Sequence, residues 1–375
     1  MIFSLCISVC LGASLWRKWQ KTISTMKHYL FILLAIVIAC KSSDKPTPAP
    51  TPPVTTVDTV GKFQNPLLTA APDPWVTYKD GFYYVMHTTG NNLRIYKTSA
   101  MSRLNSARPV TVWTPPATGP NSRDIWAPEL HFVNSKWYIY YAADNNGNDA
   151  THRMFVLENE SADPTQGTWV DRGQLGLPEN KWAIDGTLLQ QNGQLYFAWS
   201  GWETDLGGSQ YIYICQLTNP YTVSSTTRVK VSSPDYAWEK NGFGVNEGPE
   251  FLVHNNKVFL IYSASFCGTD LYALGQLTTD ASADLLNPAS WTKSATPVFG
   301  PNAGNGTFGI GHNSFFTTPD GKENWLVYHA NAASGQGCGD NRSIRMQPFT
   351  WKADGSPDFG IPAPITQWIK RPSGE

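Results

Sequence analysis

The chain has 375 residues, enough for one large domain or two ordinary ones, and a formal net charge of -1. That balance excludes a basic nucleic-acid-binding surface. Only 15% of residues are charged, while 13% are aromatic, and 31 Gly and 27 Pro supply turns. This composition points to an all-β protein rich in turns, with rings to spare for flat, weakly polar ligands such as sugars.

Residues 1–60 read as export and tether. Met26-Lys27-His28 is a second candidate start, followed by an apolar run from Tyr29 to Ala39 and then Cys40. An earlier apolar stretch, Ile2–Leu15, precedes Arg17-Lys18. About ten apolar residues are too few to span a bilayer, and a short basic region before them describes a secretory signal. Val37-Ile38-Ala39-Cys40 resembles a bacterial lipobox, in which the Cys is acylated; the alternative is an ordinary signal with an incidental Cys. Residues 1–40 are therefore expected to be a signal region ending at a lipidated Cys40. Residues 41–60 are expected to be a linker, because Lys45–Val54 reads KPTPAPTPPV and proline at that density is stiff and extended. The expected location is outside the cytoplasm, as an outer-membrane lipoprotein, periplasmic or at the cell surface, touching membrane only through its lipid. A monomer is expected.

Residues 61–375 carry five copies of one apolar strand: Phe82–His87, Trp137–Ala142, Leu195–Ser200, Val258–Ser263 and Asn324–His329. The copies recur at a nearly even spacing that lengthens slightly along the chain. Each follows a turn: Asp80-Gly81, Asn134-Ser135, Asn192-Gly193, Asn255-Asn256 and Asp320-Gly321. A repeat of this length is too long for a solenoid rung and suits a four-stranded propeller blade, so the pattern predicts a five-bladed β-propeller. Gly61–Leu68 is expected to help close the ring against the C-terminal segment.

The strand before each turn carries the chemistry. Asp73, Asp185, Glu247 and His312 stand at closely matched offsets upstream of Phe82, Leu195, Val258 and Asn324, where their blades' repeated strands begin. In the second blade the same place holds Trp126-Ala-Pro-Glu129. Innermost strands line a propeller's channel, so these positions should converge on its axis. One acid before Pro or Gly is ordinarily a turn residue; three at one place in a repeat point to catalysis. Glycoside hydrolysis needs one carboxylic acid to protonate the leaving oxygen and a second carboxylate to activate water or attack. A third can orient the acid and hold its pKa up. His312 reads either as a satisfied buried histidine or as a ligand for a substrate hydroxyl or, through waters, a cation. Trp126 reads either as core or as a sugar platform. Glu129 is expected to act from behind the site, and Glu203 and Asp205 to be solvated. Beyond the linker stand Cys215, Cys267 and Cys338. Cys267 and Cys338 both follow apolar strands in Gly-rich loops, so a disulfide between them is favoured, with Cys215 a buried thiol.

These motifs resemble glycoside hydrolase family 43: Asp73-Pro-Trp75, Trp126-Ala-Pro-Glu129, Ile184-Asp-Gly-Thr187, Asn246-Glu-Gly-Pro249 and Gly311-His-Asn-Ser314, in order across roughly residues 63–365. The resemblance implies a five-bladed propeller that inverts anomeric configuration without a cofactor, with Asp73 as general base, Glu247 as general acid and Asp185 tuning and orienting the acid. It implies a substrate-binding arginine in Arg342–Gln347, with Arg342 the better match and Arg345 the weaker. It also implies an axial calcium or other cation near His312. The segments Trp137–Ala142, Ile184–Trp202, Val245–Pro249 and Ser232–Tyr236, with Cys267, are most similar to exo-acting α-L-arabinofuranosidases. Plant cell-wall arabinan or arabinoxylan is the substrate this implies. Endo-arabinanase and β-xylosidase are the alternatives within the family; a glycan-binding lipoprotein without catalysis is the alternative outside it. Keeping all three acids argues against the last.

Overall fold

The computed structural model describes residues 59–375; the signal region, Cys40 and the Pro-rich linker lie outside the described residues. Five antiparallel sheets follow one another along the chain. The first consists of Trp75–Lys79, Phe82–Met86, Leu93–Thr98 and Pro109–Trp113, and the second of Arg123–Val133, Lys136–Asn145, Asn148–Asn159 and Val170–Gln174. The third runs through Ala183–Gln191, Gln194–Trp202 and Gln210–Asn219, whose outer edge pairs with both Thr222–Val223 and Val229–Ser232. Asn246–His254, Lys257–Ala264, Ala273–Asp280 and Thr292–Lys293 form the fourth. Phe308–Thr317, Asn324–Asn331, Ser343–Trp351 and Pro357–Asp358 form the fifth. They are the five blades of a β-propeller, and the only helices among the described residues are short 3-10 turns. Lys62–Phe63 pairs with Ile369–Lys370, and the backbones of Leu67 and Leu68 bond to Ile344, so N- and C-terminal segments meet on the fifth blade.

Apolar clusters fill all five blade interfaces. Residues alternate sides along each strand: Val258, Leu260 and Tyr262 pack toward the third blade, while Phe259 and Ile261 pack toward the fifth. Both faces of a blade are covered, so the repeated strand reads as an unbroken apolar run instead of alternating apolar and polar. Truncating a fully buried anchor such as Trp137 to Ala should cost about 3–5 kcal/mol.

The turns behave as their sequences require. Four hairpins close with two residues, both at positive φ: Asp80 (52°) and Gly81 (85°), Asn134 and Ser135, Asn192 and Gly193, Asn255 and Asn256. This geometry suits the twist of antiparallel strands and favours Asn, Asp and Gly. The fifth departs from it: Thr317 pairs with Asn324 across a longer loop.

Bulges in four of the five innermost strands position the site. In blades two to five the register slips by one residue at Ala127-Pro128, Asp185-Gly186, Gly248-Pro249 and His312-Asn313. The first residue of each bulge has positive φ, as does Asp73, two residues before the strand of blade one. The equivalent positions are thus Asp73, Ala127, Asp185, Gly248 and His312. Glu247 stands one residue earlier, level with Pro72, Trp126 and Ile184. The matched offset expected from sequence is corrected by one position at Glu247, because the left-handed place in blade four belongs to a glycine. A Cβ at Gly248 would come 3.1 Å from His312 Nδ1, at a φ of 51° that side chains resist.

Candidate active site

The bulges open one end of the channel into a cavity of about 690 Å³. Asp73, Asp185, Glu247, Trp126, His312 and Arg342 all line it. Asp73, Asp185 and His312 hold φ values of 56°, 54° and 50°. Such backbone costs about 1–3 kcal/mol per residue and tends to be kept where it aims a functional side chain.

The three carboxyl groups sit in different electrostatic settings. Burial alone would raise the pKa of Asp73, but Arg342 Nη1 lies 2.8 Å from Asp73 Oδ1 and His312 Nδ1 lies 3.5 Å from it. Together these charges hold Asp73 well below the usual carboxylate range. The Asp73 backbone N–H donates to His329 Nδ1 at 3.1 Å, so that nitrogen is an acceptor. Burial pushes the His329 imidazole down to about 4, which keeps it neutral.

Glu247 is shifted the other way. Burial raises it to about 7, with Asp73 adding to the shift, although the Tyr272 hydroxyl donates to Glu247 Oε1 at 2.8 Å and opposes it. Asp185 is also raised, first by burial and further by Glu247 and Asp73, against the opposing pull of His312. The Gly248 N–H donates to Asp185 Oδ2 at 3.0 Å, tying Asp185 to the residue next to Glu247. One acid held ionised beside another held protonated is the arrangement acid–base catalysis requires.

Trp126 lies half-buried at the wall, stacked on His152 with ring centroids 4.1 Å apart. Arg345, the weaker arginine match, is not in the cavity: it is fully buried in the fifth blade, with its Nη atoms unpartnered. Cys267 and Cys338 form a disulfide at the cavity rim, and Cys215 is a buried free thiol. Glu203 and Asp205 are exposed and pair with Lys230 and Lys181. Among the described residues no group of three or more His, Cys, Asp or Glu could hold a metal ion. For the axial cation that the family resemblance implies, His312 is the residue that would hold it, through waters.

Glu129 lies deeper. It follows its bulge by two residues, level with Thr187, Glu250 and Ser314. Glu129 contacts His131 Nε2 at 2.9 Å, and Thr187 Oγ1 donates to Glu250 Oε2 at 3.2 Å. Sequence reasoning missed Glu250, His329, Tyr272 and Gln210, the last of which lines the cavity and hydrogen-bonds to Glu247. Glu250 was reachable, since it follows Glu247 by three residues as Glu129 follows Trp126. His329 comes from the second strand of blade five and Tyr272 from the residue just before the third strand of blade four, where no pattern marks them.

The model of the glycosyl hydrolases family 43 matches residues 63–357. The extracellular exo-α-(1→5)-L-arabinofuranosidase of Streptomyces avermitilis is 39% identical over 345 residues, 90% of this chain and 70% of that protein. α-L-arabinofuranosidase 43 of Humicola insolens is 37% identical over 310 residues, 80% of this chain and 64% of that protein. The chain thus matches about two thirds of the length of these relatives. The crystal structure of an α-L-arabinofuranosidase from Lactobacillus brevis superposes with a TM-score of 0.77 at 37% identity, covering 81% of this chain and 98% of that one. Blade count, axial acids and the family match agree, and the chain belongs to glycoside hydrolase family 43.

Proposed function

We propose that this glycoside hydrolase is an exported, exo-acting α-L-arabinofuranosidase that releases arabinose from arabinan or arabinoxylan with inversion. The observation that carries the mechanism is the opposed shift of two acids in one cavity, Asp73 downward and Glu247 upward. Glu247 gives its proton to the glycosidic oxygen as the bond to the anomeric carbon breaks. Water adds to the opposite face of that carbon, and Asp73 accepts its proton. Both protons are accounted for without a cofactor. Asp185 orients Glu247 through the Gly248 N–H and, when charged, favours its protonated form. Arg342 keeps Asp73 ionised, Trp126 offers a ring face to the sugar, and His312 stands within reach of a hydroxyl.

The arabinofuranoside preference is supported by the similarity to proteins bearing that name at 35–39% identity. Export is supported by the signal-like segment and by two relatives described as extracellular. Anchoring through Cys40 as a monomeric outer-membrane lipoprotein rests on the lipobox-like tetrapeptide and the spacer. Assay of the purified protein on an aryl α-L-arabinofuranoside beside an aryl β-D-xyloside tests the specificity. Faster release from the arabinofuranoside is expected; preference for the xyloside would overturn the reading. Mass spectrometry of the mature N-terminus tests the anchor, with a diacylglyceryl-modified Cys40 expected and an unmodified Cys40 or another cleavage site contradicting it.

A further inference from the structure

Two aromatic rings that line the same cavity as Glu247 are left exposed to water. Phe243 is 40% exposed and Phe266 38%, whereas most other phenylalanines among the described residues are buried. Their centroids lie 5.0 Å apart at an interplanar angle of 36°, and both line the cavity. They are held rather than loose. Phe266 lies over two glycines: a Cβ at Gly268 would come 2.4 Å from its Cε1, and one at Gly242 would come 2.9 Å from its Cβ. The Phe266 N–H donates to the Asn241 carbonyl at 3.0 Å, and the next residue, Cys267, is bridged to Cys338. Apolar surface this firmly fixed and still open to water marks a contact surface.

Its place in the fold says what it contacts. Phe243 enters blade four ahead of Glu247 on the same segment. Phe266 leaves the strand on which Ser263 pairs with Glu247. Asp73, Arg342 and His312 come from blades one and five. In an inverting reaction the acid faces the leaving group while the base faces the water on the opposite side. Whatever leaves the anomeric carbon therefore lies over blade four.

We propose that Phe243 and Phe266 form the leaving-group subsite, a two-ring platform on which the penultimate sugar of an oligosaccharide stacks one apolar face. This rests on the general-acid role given to Glu247. The inner cavity decides which sugar is released, and the platform decides how strongly a polysaccharide end is preferred over a small glycoside. The Cys267–Cys338 bridge fixes the platform at its distance from the acid.

The test compares a trisaccharide with the methyl glycoside of the same sugar, since a methyl group is too small to reach the rings. Both α-1,5-arabinotriose with methyl α-L-arabinofuranoside and xylotriose with methyl β-D-xyloside are assayed. The pair that the wild-type protein hydrolyses identifies the sugar, and within that pair the ratio of kcat/KM values reads the platform. In the Phe243→Ala/Phe266→Ala variant the ratio should fall about tenfold, mostly through a higher KM for the trisaccharide, as expected for loss of one stacking surface worth roughly 1–2 kcal/mol. Phe266→Tyr, which keeps the ring, should restore most of it in the Phe243 background. Ile361→Ala, an exposed change at a residue that does not line the cavity, should leave the ratio alone. An unchanged ratio in the double variant would overturn the proposal. So would a fall of equal size in Trp202→Ala alone, because that ring lies on the blade-three rim. A wild-type preference for the xylo-pair would overturn the arabinose reading and leave the ratio as the measure of the platform.

Discussion

Two layers of acids lie one above the other in the same channel, and they differ in one ingredient. The upper layer holds Asp73, Asp185 and Glu247, from blades one, three and four; the lower holds Glu129, from the innermost strand of blade two, and Glu250, three residues beyond Glu247 in blade four. All five are desolvated, but only the upper layer has a cation. In the lower layer burial pushes both Glu129 and Glu250 well above their usual range, and His131 beside Glu129 is driven down to about 3 and gives no charge. Burial thus favours the neutral form of both acids there. In the upper layer Arg342 reaches Asp73 at 2.8 Å and holds it low, while Glu247 and Asp185 are both raised. Burial alone makes carboxyl groups alike; a guanidinium placed against one of them makes an acid–base pair.

The largest effect should follow removal of the ionised member. Asp73→Asn should lower kcat by about 10³–10⁴ on every substrate, since water activation is always required. Glu247→Gln should cost about 10²–10³ on alkyl and sugar leaving groups and much less on a good aryl leaving group, which needs little protonation. Near-normal turnover of either variant on an oligosaccharide would show that the upper layer is not the reacting one. Arg342→Ala should reduce kcat/KM about 10–150-fold, the size of one charge-assisted hydrogen bond of about 1.5–3 kcal/mol. It should also move the acidic limb of the pH–rate profile upward, because Asp73 then loses its proton only at higher pH. An unmoved limb would mean that some other group holds Asp73 ionised.

The lower layer should respond least. Glu129→Gln and Glu250→Gln replace a neutral carboxyl with an amide of nearly the same shape, so activity should stay within about a factor of two. Their signature is in stability. A carboxyl whose folded pKa is raised keeps its proton in the folded chain while the unfolded chain releases it. Stability from that proton is complete below the unfolded value of 4.5 and is lost as pH rises toward the folded value. The Gln variants lack this loss, so their melting temperature relative to the parent should climb from pH 4.5 upward. A relative melting temperature that falls with pH would show that the lower acids are ionised and paired after all.

Much of this was legible in the residues. Five apolar strands, each behind a tight turn, mark the blades because a blade covered on both faces must read apolar throughout. The three acids were legible because the strand that lines the channel repeats with them. The one-residue slip at Glu247 was not, since a bulge is a register event that shows only when Gly248 is seen at positive φ opposite its partner strand. Arg345 looked nearly as good as Arg342 in sequence; residues three apart on extended backbone face opposite sides, and only Arg342 reaches Asp73. Glu129 was legible as a residue behind the site, but its pairing with Glu250 was not, because the two come from blades two and four, far apart in the chain, and meet only across the axis.

The central claim, that Glu247 is the protonated partner of an ionised Asp73, is tested most directly by the pH dependence of kcat/KM for an activated aryl glycoside in the parent and in Glu247→Gln. This quantity reports groups in the free enzyme. The parent should lose activity as pH rises past about 7, where Glu247 gives up its proton. The variant has no such proton to lose, and its profile should run flat through the same range. A descending limb near pH 7 that survives unchanged in Glu247→Gln would contradict the assignment.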